Sequence, residues 1–212
     1  MGKIKIKRKS TALDMTAMCD VAFLLLTFFM LTTQFRPPEP LTVDIPSSIV
    51  SIPIPNKDMA VISIGKDGRV FLDVDQQQVR VQALNMMAEK YNIKFTDAEK
   101  VVFSNIGPFG APMNNMKTLL SADPTSRDEI AGKMPGIGLD TTENFSKCEL
   151  FDWVYRLRSV KQSSDTKLRF AIKGDMKTQY PAVKTVIAIL QKQNVNQFSL
   201  ITNLEANPLA KK

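Results

Sequence analysis

The chain contains no histidine, and that absence removes imidazole bases, histidine-bearing triads and the common zinc-hydrolase sites. Its cysteines number only two. Cys19 lies in an apolar run and Cys148 far downstream in a polar region, which makes no disulfide framework. Hydrolytic chemistry would have to rest on carboxylates alone, and no convincing pair of them stands out. The pair Gly136-x-Gly138 has no strand before it and no third glycine, so it does not form a phosphate loop. An enzyme is therefore not expected, and neither a cofactor nor a metal is called for. The formal charge of +7 points no further, because Lys3, Lys5, Lys7, Arg8 and Lys9 carry five of those charges and leave +2 for the rest. A basic tail of that kind is not a nucleic-acid-binding face, and no nucleic-acid partner is expected.

What the chain does have is one long apolar run. Residues 16–35 form a stretch of membrane length, and nine of the ten residues from Val21 to Met30 are apolar. A helix of about 20 residues spans about 30 Å, the thickness of a bilayer's hydrocarbon core. The cations stand directly before it, as expected for a cytoplasmic N-terminus, with the remainder on the far side of the membrane. A signal peptide would share the basic start. It fits poorly with an aspartate opening the apolar run and with Leu31-Thr-Thr-Gln-Phe-Arg-Pro-Pro after it, where a small-x-small cleavage site should lie.

That aspartate, Asp20, is the most telling residue of the chain. Thr16, Asp20, Thr27 and Gln34 fall within roughly 40° of one another on a helical wheel. Lipid cannot satisfy such a polar line, so it needs a protein or water partner. Thr27 bonding its own helix and Gln34 reaching to the interface would account for those two singly, but not for Asp20. An ionised aspartate at mid-bilayer costs about 2.5–3.5 kcal/mol on insertion scales, and removal from water favours the neutral form of any carboxyl. A group that changes charge in this position can take up and release a proton.

Downstream, residues 36–55 hold Pro37, Pro38, Pro40, Pro46, Pro53 and Pro55, half of the chain's 12 prolines. This composition reads as an extended tether, with Leu41-Thr-Val-Asp-Ile45 as a short strand suited to adding onto a sheet edge, including that of a second subunit. Two alternating runs around Asp67-Gly68 give a β-hairpin. A helix over 79–91 follows. A strand over 167–173, a helix over 181–193 started by Pro181, and a strand over 197–202 make a β-α-β unit. Residues 93–165 are loop-rich, with helices near 114–121 and 149–160, and read as an insertion that decorates the sheet. The expected layout is a basic cytoplasmic tail (1–12), a transmembrane helix (13–35), the tether (36–58), an α+β domain with a mixed sheet packed by helices (59–204), and a tail (205–212).

The segment Asp14-Met-Thr16-Ala17-Met-Cys-Asp20, followed by an apolar run ending Phe29-Met30, resembles the ExbD/TolR family pattern Asn-x-Thr-Pro-x-x-Asp with its Phe-Met ending. Leu41-Thr-Val-Asp-Ile-Pro46 is similar to the family's strand after the helix. Lys173-Gly-Asp175 with Tyr180 and Val183 is similar to its Ala-Asp…Tyr…Val signature. Ala17 stands where the family has proline, Asp14 where it has asparagine, and residues 93–165 exceed a minimal domain of this kind. The resemblance implies that Asp20 is the proton-carrying residue of a bacterial inner-membrane motor, that Thr16, Thr27 and Gln34 support it, and that Asp14 adds an acid at the cytoplasmic mouth. It implies a periplasmic C-terminal domain and a second copy of the chain inside a ring of polytopic ExbB/TolQ-like subunits. It also implies a TonB-like or Tol-type client, with Leu41, Val43 and Ile45 as candidate contacts to that client or to the second copy.

Overall fold

The computed structural model describes residues 15–33, 40–41, 43–48, 58–139, 145, 147–162 and 168–204. They belong to two compact units, Met1–Arg36 and Pro37–Lys212. The basic tail, Asp14, Gln34 and the C-terminal tail lie outside the described residues.

The first unit is one helix, α1 (Met15–Thr32). Leucine, methionine and alanine make up much of it and lose little freedom in a helix. Its 18 residues extend about 27 Å at 1.5 Å each. None of them is buried within the chain.

The second unit is built on a four-stranded mixed sheet in the order β3-β2-β4-β5. Strands β2 (Met59–Ile64) and β3 (Val70–Val74) form the expected antiparallel hairpin, with Ala60 opposite Val74 and Ile64 opposite Val70. Gly68 sits in the turn at φ 76°, a left-handed conformation that glycine adopts without a Cβ penalty, and its N–H donates to the Gly65 carbonyl at 2.9 Å. β4 (Arg169–Gly174) runs parallel to β2, and β5 (Phe198–Ile201) runs parallel to β4. Successive side chains of a strand point to opposite faces. The register therefore puts Ala60, Ile62 and Ile64 on the same face as Phe170 and Ile172.

That face shares one core with the helices. From α2 (Gln77–Tyr91) come Val79, Ala83, Leu84 and Met87, and from α7 (Tyr180–Lys192) come Val186, Ile189 and Leu190. Helix α2 ends at Asn92, which takes the left-handed conformation at φ 55° and closes the last turn. Asparagine is one of the few residues that does so readily.

Residues 93–165 are more than decoration. They form α3 (Asp97–Asn105), α4 (Met113–Ser121), α5 (Pro124–Lys133) and α6 (Glu149–Gln162), of which only α4 and α6 match the helices expected there. Thr96 and Glu99 make a reciprocal capping box at the start of α3. Phe103, Phe109 and Trp153 meet with ring centroids 4.9–6.1 Å apart, all within the same core as the sheet. Phe109 also exchanges two backbone hydrogen bonds with Leu72 of β3, at 2.8 and 2.9 Å. The segment thus closes the sheet's hairpin edge and supplies much of the core.

The strand expected at residues 41–45 is not there. Asp44 donates its backbone N–H to the Asp175 carboxylate at 3.0 Å, and its carbonyl accepts from the Met176 N–H at 2.9 Å. The backbone groups that a strand would offer to a sheet edge are already used by the turn after β4. Regular pairing begins later, at β1 (Ser47–Ser48), which runs parallel to β6 (Asn203–Leu204) of the same chain.

Candidate functional site

Asp20 and Thr16 lie on α1 with their side chains exposed, and Asp20 makes no hydrogen bond or ion pair with any described residue. Thr27, about two turns beyond Asp20, donates its hydroxyl to the Leu24 carbonyl at 2.9 Å. Thr32 and Thr33 donate in the same way, to Phe28 at 2.8 Å and to Phe29 at 2.7 Å. These hydroxyls are satisfied by their own helix, as threonines in an apolar medium commonly are. The carboxylate differs: it has no such bond to its own helix among the described residues. Helix α1 is long and apolar enough to cross a membrane, with a mean hydropathy of 1.9. Having no buried residue, it is unlike the core helix of a soluble domain.

Several charges of the second unit are matched within it, in contrast. Arg80, only 4% exposed, pairs with Asp73 at 2.6 Å and donates to the carbonyls of Phe103 and Ile106. Burial lowers its pKa, and the neighbouring Asp73 opposes that shift. One arginine thereby ties β3 to the end of α3. Lys161 of α6 is ion-paired with Asp58 at the entrance to β2, and Gln76 donates to the same carboxylate. Asp152 of α6 accepts from Lys90 and from the Tyr91 hydroxyl, the latter at 3.0 Å. Burial, and then the bond to Asp152, push the Tyr91 phenol well above its ordinary value. Among the described residues no group of His, Cys, Asp or Glu side chains is placed to hold a metal ion.

Asp175 is the residue whose role the sequence did not disclose. It accepts from the Lys177 N–H at 2.8 Å and from the Asp44 N–H at 3.0 Å. Those two donors, Lys177 first, hold its carboxyl below the usual range. Thr178 completes the corner by donating to the carbonyls of Ile64 and Gly65 at 3.3 and 3.2 Å. The Leu41 side chain lies over Gly65, where an added Cβ would meet its methyl carbons at 3.0 Å. Val43 and Ile45 flank the clamped Asp44 and are half-buried. The three residues expected to meet a client or second copy are thus seated along their own domain. The pairing joins positions 131 residues apart, and the strand-followed-by-Gly-Asp pattern marked the corner without naming its partner.

Neither a search of curated proteins nor one of solved structures returns a match. The family model for biopolymer transport protein ExbD/TolR matches residues 7–127, a span that holds α1, the tether and the hairpin and runs on through α4 into α5. That is more than half of the 212 residues, and the chain belongs to the ExbD/TolR family of biopolymer transport proteins.

Proposed function

We propose that this chain is a single-pass inner-membrane subunit of a proton-driven motor, in which Asp20 takes up and releases the proton. The observation that carries this reading is a carboxylate with no partner among the described residues, on a membrane-length helix, in a member of a biopolymer transport family. An ionised carboxylate in hydrocarbon costs about 2.5–3.5 kcal/mol, and a proton crossing 100 mV releases about 2.3 kcal/mol. The two quantities are of the same size. Alternate access of one carboxyl to the two sides therefore couples a proton's passage to a step of the helix. A lone helix offers no proton path, so a ring of ExbB/TolQ-type subunits around two copies of this chain supplies it. Thr16 shares the face of Asp20 on α1, and the scheme assigns supporting roles to Gln34 and Asp14, which lie outside the described residues. The basic tail stays in the cytoplasm, and the α+β unit passes force in the periplasm to a TonB-like or Tol-type client. No step of this scheme makes or breaks a covalent bond of a substrate, so the chain acts as a transducer and not as an enzyme.

The test is Asp20→Asn, which keeps shape and polarity and removes ionisation. Energised transport by the assembled system is expected to be lost, while membrane insertion and co-purification with polytopic partners stay at wild-type level. Full transport with asparagine at this position would reject the proton-carrier role and leave a membrane-tethered binding domain.

A further inference from the structure

Helices α3, α4 and α5 enclose a cavity of about 140 Å³ that the motor reading does not use. Ile106, Pro108 and Leu119 give it apolar walls, and Arg127 and Asp128 of α5 give it charged ones. Pro40 of the tether forms part of its lining.

The arginine decides what fits. Arg127 is half-buried and spends one nitrogen, Nη2, on the Ala122 carbonyl at 2.7 Å. Its Nε is closed off from solvent, Nη1 makes no hydrogen bond with a described residue, and the side chain forms no ion pair with one. Arg69 and Arg80, by comparison, each have a carboxylate of the protein's own. A guanidinium presents its donors in a planar fork that matches a carboxylate, and Nη1 is the donor left for one. Asp128 in the same lining makes no ion pair either. Its negative charge disfavours a dianion such as a phosphate monoester and tolerates a single carboxylate. At about 30 Å³ per water the space equals roughly four to five waters, which suits a carboxylate on a body of two to four carbons. The apolar walls suit the methyl or methylene groups of that body.

We propose that this cavity is a receptor for a single short aliphatic carboxylate presented by a peptide, either a free C-terminus after a small residue or an acidic side chain, with Arg127 as the anchoring group. Because Pro40 is part of the wall, occupation of the cavity is linked to the seating of the tether. The site is separate from Asp20, and its existence does not depend on proton coupling.

The experiment uses the full chain in detergent micelles and follows the methyl resonances of Ile106, Leu119 and Ala131. The probes are propionate, acetyl-Ala-Ala-Ala with a free carboxylate, the same peptide as its amide, acetyl-Ala-Glu-Ala-amide, and inorganic phosphate. Propionate and at least one of the two carboxylate peptides are expected to shift these methyls saturably. Which peptide does so identifies a terminal or a side-chain source. Arg127→Gln is expected to weaken binding about tenfold or more. Ala131→Leu, which fills the cavity and leaves its charge alone, should do the same, while amide signals of the sheet remain in place for both variants. Equal binding of the neutral amide peptide, preference for phosphate, unaltered affinity in both variants, or no shift with any carboxylate would each overturn the proposal.

Discussion

Helix α1 and the α+β unit solve the burial problem in opposite ways. The unit from Pro37 onward buries Phe103, Phe109 and Trp153 against one another and matches Arg80, Lys161 and Asp152 with partners of its own. Helix α1 has no buried residue, and its one acid has no partner among the described residues. The first is a self-sufficient fold. The second has no packing partner among the described residues, and its length and apolar composition suit a bilayer. A substitution's consequences should therefore depend first on which of the two regions it falls in.

Trp153→Ala should break the self-sufficient side most severely. Trp153 is 1% exposed, stacked on Phe103 and tilted against Phe109, and truncations of this kind cost about 3–5 kcal/mol. Denaturant unfolding of the α+β unit is expected to show that loss, with membrane association unchanged. Asp73→Ala comes next, because it leaves the buried Arg80 without its carboxylate. Removing one partner of a fully buried pair costs about 3–5 kcal/mol. Asp73 is 39% exposed, so a loss of about 2 kcal/mol is expected after discounting for solvent screening. A loss below the scatter of surface substitutions would show that the two carbonyl bonds of Arg80 suffice.

Acidification should act more gently, through the tether clamp. The Asp175 carboxyl is depressed in the folded chain. Its contribution is therefore complete above the unfolded value of about 3.9 and is lost as pH falls through the lower folded value. Amide exchange at Asp44 and Lys177 is expected to stay slow at neutral pH, after correction for intrinsic rates, and to quicken only below about pH 4, ahead of the core strands. Quickening already near neutrality would point to a different titrating group. The smallest effect is expected on the other side of the comparison. Phe28→Ala removes an aromatic ring that is 60% exposed on α1. It should leave unfolding of the α+β unit within about 0.5 kcal/mol of wild type. A clear shift would show that the two regions share stability.

Much of this organisation is legible in the chain itself, for identifiable reasons. The hairpin announces itself through alternation around Asp67-Gly68, and α7 through Pro181 followed by a regular apolar face. Helix α5 escaped because it has no buried residue and hence no amphipathic pattern to read. Helix α3 carried a signal that was passed over, Thr96-x-x-Glu99, which is a capping box in the structure. The integration of residues 93–165 into the core was hidden because Phe103, Phe109 and Trp153 come from three separate segments and meet only in space. In the candidate site, Asp20 stood out because charge in an apolar run is costly. Arg127 did not, because an arginine in a polar helix is unremarkable until its surroundings are known.

The clamp on the tether is made entirely through the main chain of residue 44, whose amide and carbonyl are the groups engaged, while the side chain that matters belongs to Asp175. The domain thus recognises the course of the incoming strap and is indifferent to what position 44 displays. Substitutions at position 44, proline excepted for want of an amide hydrogen, should leave the strap held, whereas loss of the carboxylate at 175 removes the acceptor that holds it.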